Sequence, residues 1–415
     1  MTLKMKPSKI PGFQFSGISS FTRKFLLNKL AVIIMVYSMA FLSLALYSYQ
    51  IYQKNAAIRS EIRSANREKE DIAGKLSVAQ TNYETLKNED QYLRNNTLEE
   101  EINNIQETYK NAVAVYEKLL DLKSGEEYTA DLDGSIANIF SLLSQKNYAS
   151  ASAEIISLSS NIKKKTDEIN ASYKIPESIT ASNSPPVSGY QRQKVTTDTG
   201  SFMVDLISAD VGSTKVIVDT ASDSDCGNDC PVLSLADYVK RNNAYAGING
   251  TYFCPSTYPS CAGKTNSFDL LVMNHKKTYF NSGNNVYSNN PAVIFGDGYV
   301  RFVSSASEWG RDTSPNGVLS NYPLMLLNSD LRFSGDGDEK KASRGGRSFV
   351  ANKGNTVYIG VVFSATVADS AKVMKVLGFE NAINLDNGGS TALWYGGYKA
   401  GPGRNIPNAI LFVKK

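Results

Sequence analysis

The chain has 415 residues, a length that allows two to four domains. Hydrophobic residues make up 42% and charged residues 20%, which excludes wholesale disorder, a collagen-like chain and a polytopic membrane protein. The net charge of +4 is unevenly placed: residues 1–53 hold six Lys/Arg and no acid, the remainder is slightly acidic, and no basic body for nucleic acid is left. A single histidine, His275, placed in an exposed turn between strands, excludes a zinc site built on two or three imidazoles. No metal and no cofactor are expected.

Residues 1–29 read as a basic cytoplasmic tail carrying Lys4, Lys6, Lys9, Arg23, Lys24 and Lys29. Residues 30–50 carry no charge and match the roughly 20 residues that cross a bilayer. The run is longer than the apolar core of about 7–15 residues in a cleaved signal peptide. Tyr47, Tyr49 and Tyr52 follow it as an interfacial belt. The segment is therefore predicted to be an uncleaved single-pass anchor. The cationic flank stays in the cytoplasm and the body lies outside.

Residues 51–124 are predicted to form a coiled-coil-like stalk. Ile51, Ile58, Ala65, Ile72, Ala79, Leu86 and Leu93 recur at seven-residue spacing. The interleaved positions are mixed, with Ile62, Leu76 and Tyr83 apolar but Asn55, Lys69 and Asp90 polar. The stalk thus allows self-association without demanding it. Thr97 and Glu100 read as a capping box that starts a new helix after Asn95-Asn96. Gly125 closes the stalk. Residues 125–174 read as a helical hairpin that turns at Lys146-Asn147, with apolar Ile136, Ile139, Leu143, Ile155, Leu158 and Ile162. The Ser/Pro-rich segment 175–189 reads as a linker.

From residue 190 to 415 short β-rich runs recur, including 201–209, 215–221, 244–250, 268–274, 291–296, 356–363, 381–386 and 408–413. Helices are predicted at Leu233–Asn242 and Asp369–Leu377, the latter closed by Gly378. The fold class expected is α+β: a β-rich C-terminal domain with a mixed or antiparallel sheet and few helices, behind a transmembrane helix and an α-helical stalk. Cys226, Cys230, Cys254 and Cys261 all lie in this domain. Outside the membrane an even count reads as two disulfides. Three pairings are open, and the local pairs Cys226–Cys230 and Cys254–Cys261 are favoured.

Three tempting motifs fail. Gly263-Lys264-Thr265 lacks the leading glycine of a phosphate-binding loop, because Tyr258 stands there. Asp223 and Asp225 imitate a calcium loop whose next ligand position is Gly227. Asn95, Asn170 and Asn249 sit in N-x-[ST] triplets, a common match. The informative segment is Asn384-Leu385-Asp386-Asn387-Gly388-Gly389-Ser390-Thr391. An apolar strand delivers a carboxylate to its C-terminal end, and glycines then let backbone N–H groups approach an anion.

Two more segments join it: Ile248-Asn249-Gly250-Thr251-Tyr252-Phe253, and Arg347-Ser348-Phe349-Val350-Ala351 after Gly346. With Pro323-Leu324 between them, the four segments resemble, in order, the I-N-G-x-F-F, P-[LI], P-R-T-A-x-G and N-L-D-G-G-G-S-S pattern of the phosphodiester glycosidase family. The resemblance covers about 195–415. Gly346, Ser348, Phe349, Ala351 and Asn387 depart from the pattern.

The resemblance implies hydrolysis of a sugar-1-phosphodiester at its glycosidic bond. Arg347 would then hold the phosphodiester, since a guanidinium fork meets two oxygens at once. Asp386 would be the acid, base or nucleophile. Asn249 and Gly250 would face the sugar, Gly388, Gly389 and Ser390 would line the phosphate, and Trp394 would stack on the sugar, as would Tyr252 and Tyr395. The expected function is a membrane-anchored, extracytoplasmic glycosidase acting on a surface glycopolymer or glycoconjugate, with no nucleic-acid partner. The competing expectation is a non-catalytic glycan-binding or envelope-organising protein that keeps the fold.

Overall fold

The computed structural model describes residues 20–124, 129–285 and 288–415. Most of the basic tail, residues 1–19, and Gly125 lie outside the described residues. The chain divides into two compact units, Met1–Glu101 and Ile102–Lys415.

In the first unit, α1 is one continuous helix, Ser20–Lys87. Its apolar side chains from Val32 to Tyr52 are exposed along its whole circumference. Among the described residues it is the one helix long and apolar enough to cross a membrane, and it fits an anchor or a signal sequence. The heptad residues Ile58, Ile72 and Leu86 are also exposed. The helix breaks at Asn88-Glu89, and α2 runs Asp90–Lys123. The predicted break at Asn95-Thr97 is therefore wrong by two turns. Thr97 lies inside α2, and its hydroxyl donates 2.9 Å to the Leu93 carbonyl one turn back. A threonine offers this internal bond as readily as an N-cap bond.

In the second unit, the C-terminal part of α2 packs with α3, Ala130–Ser144, and α4, Tyr148–Ser172. Ala112, Val115 and Leu119 of α2 share one buried core with Ile139 and Leu143 of α3 and Ile155, Leu158 and Ile162 of α4. The tight turn before α4 is capped by Asn147, whose side chain accepts from Ser150 N at 3.2 Å.

The C-terminal region is three antiparallel sheets. The largest orders its seven strands as Gly189–Thr197, Gly200–Asp210, Thr356–Ala365, Gly345–Lys353, Asn381–Asn384, Leu324–Leu327 and Asp330–Leu331. A five-stranded sheet runs Tyr398–Ala400, Leu393–Tyr395, Ala246–Asn249, Asn408–Lys414, Thr214–Thr220. A second five-stranded sheet contains Val272–Met273, Ala292–Phe295 and Gly317–Ser320. Every pairing within the sheets is antiparallel, so the domain takes the antiparallel branch of the expected α+β class.

The three sheets share a core of Ile207, Val218, Ile248, Val293, Leu319, Val350, Ile359, Ile383 and Ile410, all essentially inaccessible to water. The strands that supply it are apolar on both faces because a second layer covers the far side. The helix Val367–Val376 packs on the outer face of the seven-stranded sheet, against Phe349, Phe379 and Met325. Its start is a complete capping box, Thr366 with Asp369. Helix α5, Leu235–Arg241, covers the outer face of the first five-stranded sheet with Leu235 and Tyr238.

Two details refine the sequence picture. The segment 175–189 is stitched to the domain, since Gln193 donates to the Ser182 and Ser184 carbonyls at 2.8 and 3.0 Å. His275 is not an exposed turn residue. It is partly buried with Nε2 3.5 Å from Asp219. Burial alone would push the Asp219 carboxyl up, but hydrogen bonds from His275, Arg241 and Asn242 hold it at about 2. The cysteines form two local disulfides, Cys226–Cys230 and Cys254–Cys261.

Candidate active site

The ends of two sheets meet at one point, and Asp386 is carried there. Asn249 ends the central strand of the five-stranded sheet. Asn384 ends its strand in the seven-stranded sheet. The next two residues cross from one sheet to the other: Leu385 N donates to Ser348 O and Asp386 N to Gly250 O, both at 2.9 Å. The crossing is possible because Gly250 has no side chain, since a Cβ there would collide with the Asn408 amide.

A net of buried amides locks the junction. Asn249 donates 2.7 Å to the Asp386 carbonyl, and its oxygen accepts from Ser348 Oγ at 2.8 Å and Ala392 N at 3.1 Å. Asn387 accepts from Ser348 N at 2.8 Å and donates to Asn384 Oδ1 at 2.9 Å. Asn384 donates 2.7 Å to the Tyr252 hydroxyl. Two departures from the family pattern, Ser348 and Asn387, are thus bound to each other and to the strand ends. Their polar atoms are satisfied within the net, as buried polar groups must be.

The Asp386 carboxyl lies within this junction. Its Oδ1 accepts 2.8 Å from Asn387 N, and the Ser390 hydroxyl also bonds to it. Burial pushes the carboxyl up to about 7, against the opposing pull of Ser390, the Arg404 charge and the Asn387 N–H, and with a small upward push from Asp269. The Gly388–Ser390 turn follows directly, with Gly388 at φ +61°, a left-handed conformation that favours glycine. Burial first, and then the Asp386 charge, pushes the Tyr252 phenol far above its usual range.

The structure therefore brings Asn249, Gly250, Asp386, Gly388, Gly389 and Ser390 together. Arg347 and Trp394 are engaged differently. Arg347 is buried, with Nε donating 2.9 Å to Ala365 O and Nη2 donating to the Lys340 carbonyl at 3.0 Å and to the Ser343 carbonyl. Those bonds clamp the short helix Glu339–Ala342 against its strand. Burial lowers the guanidinium to about 10. Its charge is felt at Tyr252. Trp394 packs toward α5 and sits edge-on to Tyr398 with ring centroids 4.9 Å apart.

Arg404, Tyr258 and Asp269, which the sequence reading did not place at the site, complete the surroundings. Arg404 N donates 2.7 Å to Gly389 O, and a Cβ on Gly389 would collide with the Arg404 guanidinium. That guanidinium lies over the Tyr258 ring at 5.2 Å. The Asp269 carboxyl is raised by burial, and its charge is felt at Asp386. Arg404 follows Gly401-Pro402-Gly403, which in sequence is only a turn, and no spacing ties it to Asp386.

The model of the phosphodiester glycosidase family matches residues 242–413, a span that contains every residue of this junction. Residues 242–413 thus match a phosphodiester glycosidase domain. The first three strands of the glycosidase domain's sheets, up to Thr220, precede the matched span.

Among solved structures, a hypothetical protein from Synechocystis shares 13% identity over 55% of this chain and 62% of its own, with a TM-score of 0.43. The chain thus spans about three fifths of that protein. The zebrafish N-acetylglucosamine-1-phosphodiester alpha-N-acetylglucosaminidase catalytic domain, auto-inhibited by its pro-peptide, shares 16% over 57% of this chain and 87% of its own, with a TM-score of 0.43. A putative exported protein from Burkholderia pseudomallei shares 12% over 52% and 74%, with a TM-score of 0.35. No curated protein matches the chain.

Proposed function

We propose that the protein is a membrane-anchored glycosidase that hydrolyses a sugar-1-phosphodiester outside the cytoplasm, on a surface glycopolymer or glycoconjugate. The observation that carries this reading is the Asp386 carboxyl, held at about 7 at the start of a glycine turn and within the field of Arg404. A carboxylic acid with that value is about half protonated at neutrality and gives its proton up easily, as a general acid must. The two disulfides and the apolar α1 support an extracytoplasmic domain on an anchor, with the basic tail inside.

The reaction breaks the bond between the anomeric carbon and the phosphate oxygen and forms one from that carbon to water oxygen. Asp386 delivers a proton to the departing phosphate oxygen. The attacking water must lose a proton, and Asp269, whose charge is felt at Asp386, is the carboxylate assigned to take it. The products are a free sugar and a phosphomonoester. The glycine turn brings backbone N–H groups close to the phosphate oxygens, which a β-carbon would keep away.

The direct test is turnover of a sugar-1-phosphodiester by the full-length protein in detergent, with Asp386→Asn as control. Release of sugar by the native protein and its loss in the variant support the reading. Binding of the phosphodiester with no turnover by either protein would transfer the domain to the glycan-binding alternative.

A further inference from the structure

The phosphate cation of the site is still to be assigned, because Arg347 commits its Nε and Nη2 to backbone carbonyls. Arg404 is the cation beside the glycine turn, and it already holds an anion. Its Nη2 lies 3.5 Å from Oδ1 of Asp121. The same carboxylate oxygen accepts from the Tyr258 hydroxyl. Asp121 comes from the last turn of α2, in the helical stalk.

The placement is not a lone surface ion pair. One turn before Asp121, the Glu117 side chain accepts 3.0 Å from Ser260 N and is almost wholly buried. Between them, Lys118 pairs with Glu339 at 2.6 Å. A single stretch of α2 thus touches the Cys254–Cys261 loop, the Glu339–Ala342 helix and Arg404. Tyr258 holds the same position from the other side, with Lys340 over its ring at 5.3 Å and Arg404 at 5.2 Å. A carboxylate offers a guanidinium the same charge sign as a phosphodiester and a similar oxygen spacing. The pair is open enough to exchange, since the Arg404 side chain is 21% exposed and that of Asp121 36%.

We propose that Arg404 receives the phosphodiester of the substrate, and that Asp121 of the stalk occupies it as an internal anion which the substrate must displace. The assignment rests on the reading of the domain as a phosphodiester glycosidase. It makes the stalk a competitor for the site as well as a spacer. An anion bound at Arg404 and the docked end of α2 exclude each other, so the helix lowers the affinity for any anionic ligand.

The test is a calorimetric titration of full-length protein in detergent with inorganic phosphate at low salt. Asp121→Asn keeps the shape and removes the charge. It should tighten phosphate binding about fivefold, the scale of a partly exposed ion pair. It should also lower KM for a sugar-1-phosphodiester with kcat unchanged. Arg404→Gln should weaken phosphate binding about tenfold or more, and in the double variant the Asp121 effect should vanish. If Arg404→Gln melts early, Arg404→Lys replaces it, with intermediate affinity expected because the charge remains without the fork.

An Asp121→Asn protein that binds phosphate no more tightly than the native one overturns the proposal. So does an Arg404 variant that binds as the native protein does. Phosphate results as expected with no sugar release from any substrate would sink the glycosidase reading alone and leave the displaced anion standing.

Discussion

The two halves of this chain bury their apolar residues in opposite ways. Along α1 the side chains of Val32, Phe41, Ile58 and Leu86 are all more than half exposed, and the helix closes its backbone hydrogen bonds locally. In the β-rich C-terminal region Val218, Ile248, Ile359 and Ile410 are 0% exposed, each held by strands far apart in sequence. A helix closes its bonds within four residues, so it tolerates a missing partner. A sheet closes its bonds across the chain, so every strand depends on others. Damage should therefore stay local in the first half and spread in the second.

The largest effect expected is catalytic. Asp386→Asn should lower turnover of a sugar-1-phosphodiester by about 10²–10⁴, the usual loss for a general acid, with the helical content of the protein unchanged by circular dichroism. A variant with near-native turnover would make the carboxyl a turn residue and remove the contrast between site and stalk.

Substitution of Asn249 comes next. Asn249→Ala removes three hydrogen bonds at the junction of two sheets and leaves the Ser348 hydroxyl and the Ala392 N–H without their acceptor. The expected cost is about 3 kcal/mol, read in the denaturation midpoint of the β domain. The matching change on α1, Leu76→Ala, removes a side chain that is 57% exposed and should stay within about 0.5 kcal/mol. Equal costs at the two sites would abolish the comparison. A large cost at Leu76 would show that the heptad stripe is covered by a second stalk.

Reduction separates the halves in a third way. Both disulfides lie in the β domain and close short loops, each worth roughly 2 kcal/mol by chain entropy. Reductant should lower the near-ultraviolet melting transition of the β domain and leave the far-ultraviolet signal of α1 unmoved. A β transition indifferent to reductant would contradict the disulfides.

The last effect is a pH dependence. The folded Asp386 carboxyl sits at about 7, above its unfolded value near 4, so the folded state binds the extra proton between those values. The stability it contributes is full below pH 4 and is lost as pH rises through 7. Asp386→Asn stays neutral throughout. It should melt a few degrees higher than the native protein at pH 8 and at nearly the same temperature at pH 4. A variant that melts lower at pH 8 would show that the ionised carboxylate stabilises the junction.

Local chemistry let the sequence determine a good deal. The apolar run 30–50, the seven-residue stripe, the helix closed by Gly378 and the strand ending in Asp386 all follow from composition and period over a few residues. Even so, the α1–α2 break fell at Asn88-Glu89 and not before Thr97, because two adjacent helix ends with similar polar residues differ only in which backbone bonds are satisfied. The motif Asn384–Thr391 marked the site because its glycines and carboxylate are contiguous.

What only the tertiary structure decided is which polar groups remain for a ligand. Arg347 and Arg404 carry the same side chain. One commits its Nε and Nη2 to the carbonyls of Ala365, Lys340 and Ser343, and the other stands beside Gly389, paired with a carboxylate from α2. Asn249 has a polar amide in any reading, yet its atoms are spent joining two sheets. Hydrogen bonds and ion pairs are claimed by whichever partner the fold brings within about 3 Å. The Asp386 carboxyl takes its partners from its own turn, but its backbone is held by Asn249 and Gly250, and Arg404 meets Asp121 of α2, at distances that no spacing along the chain encodes.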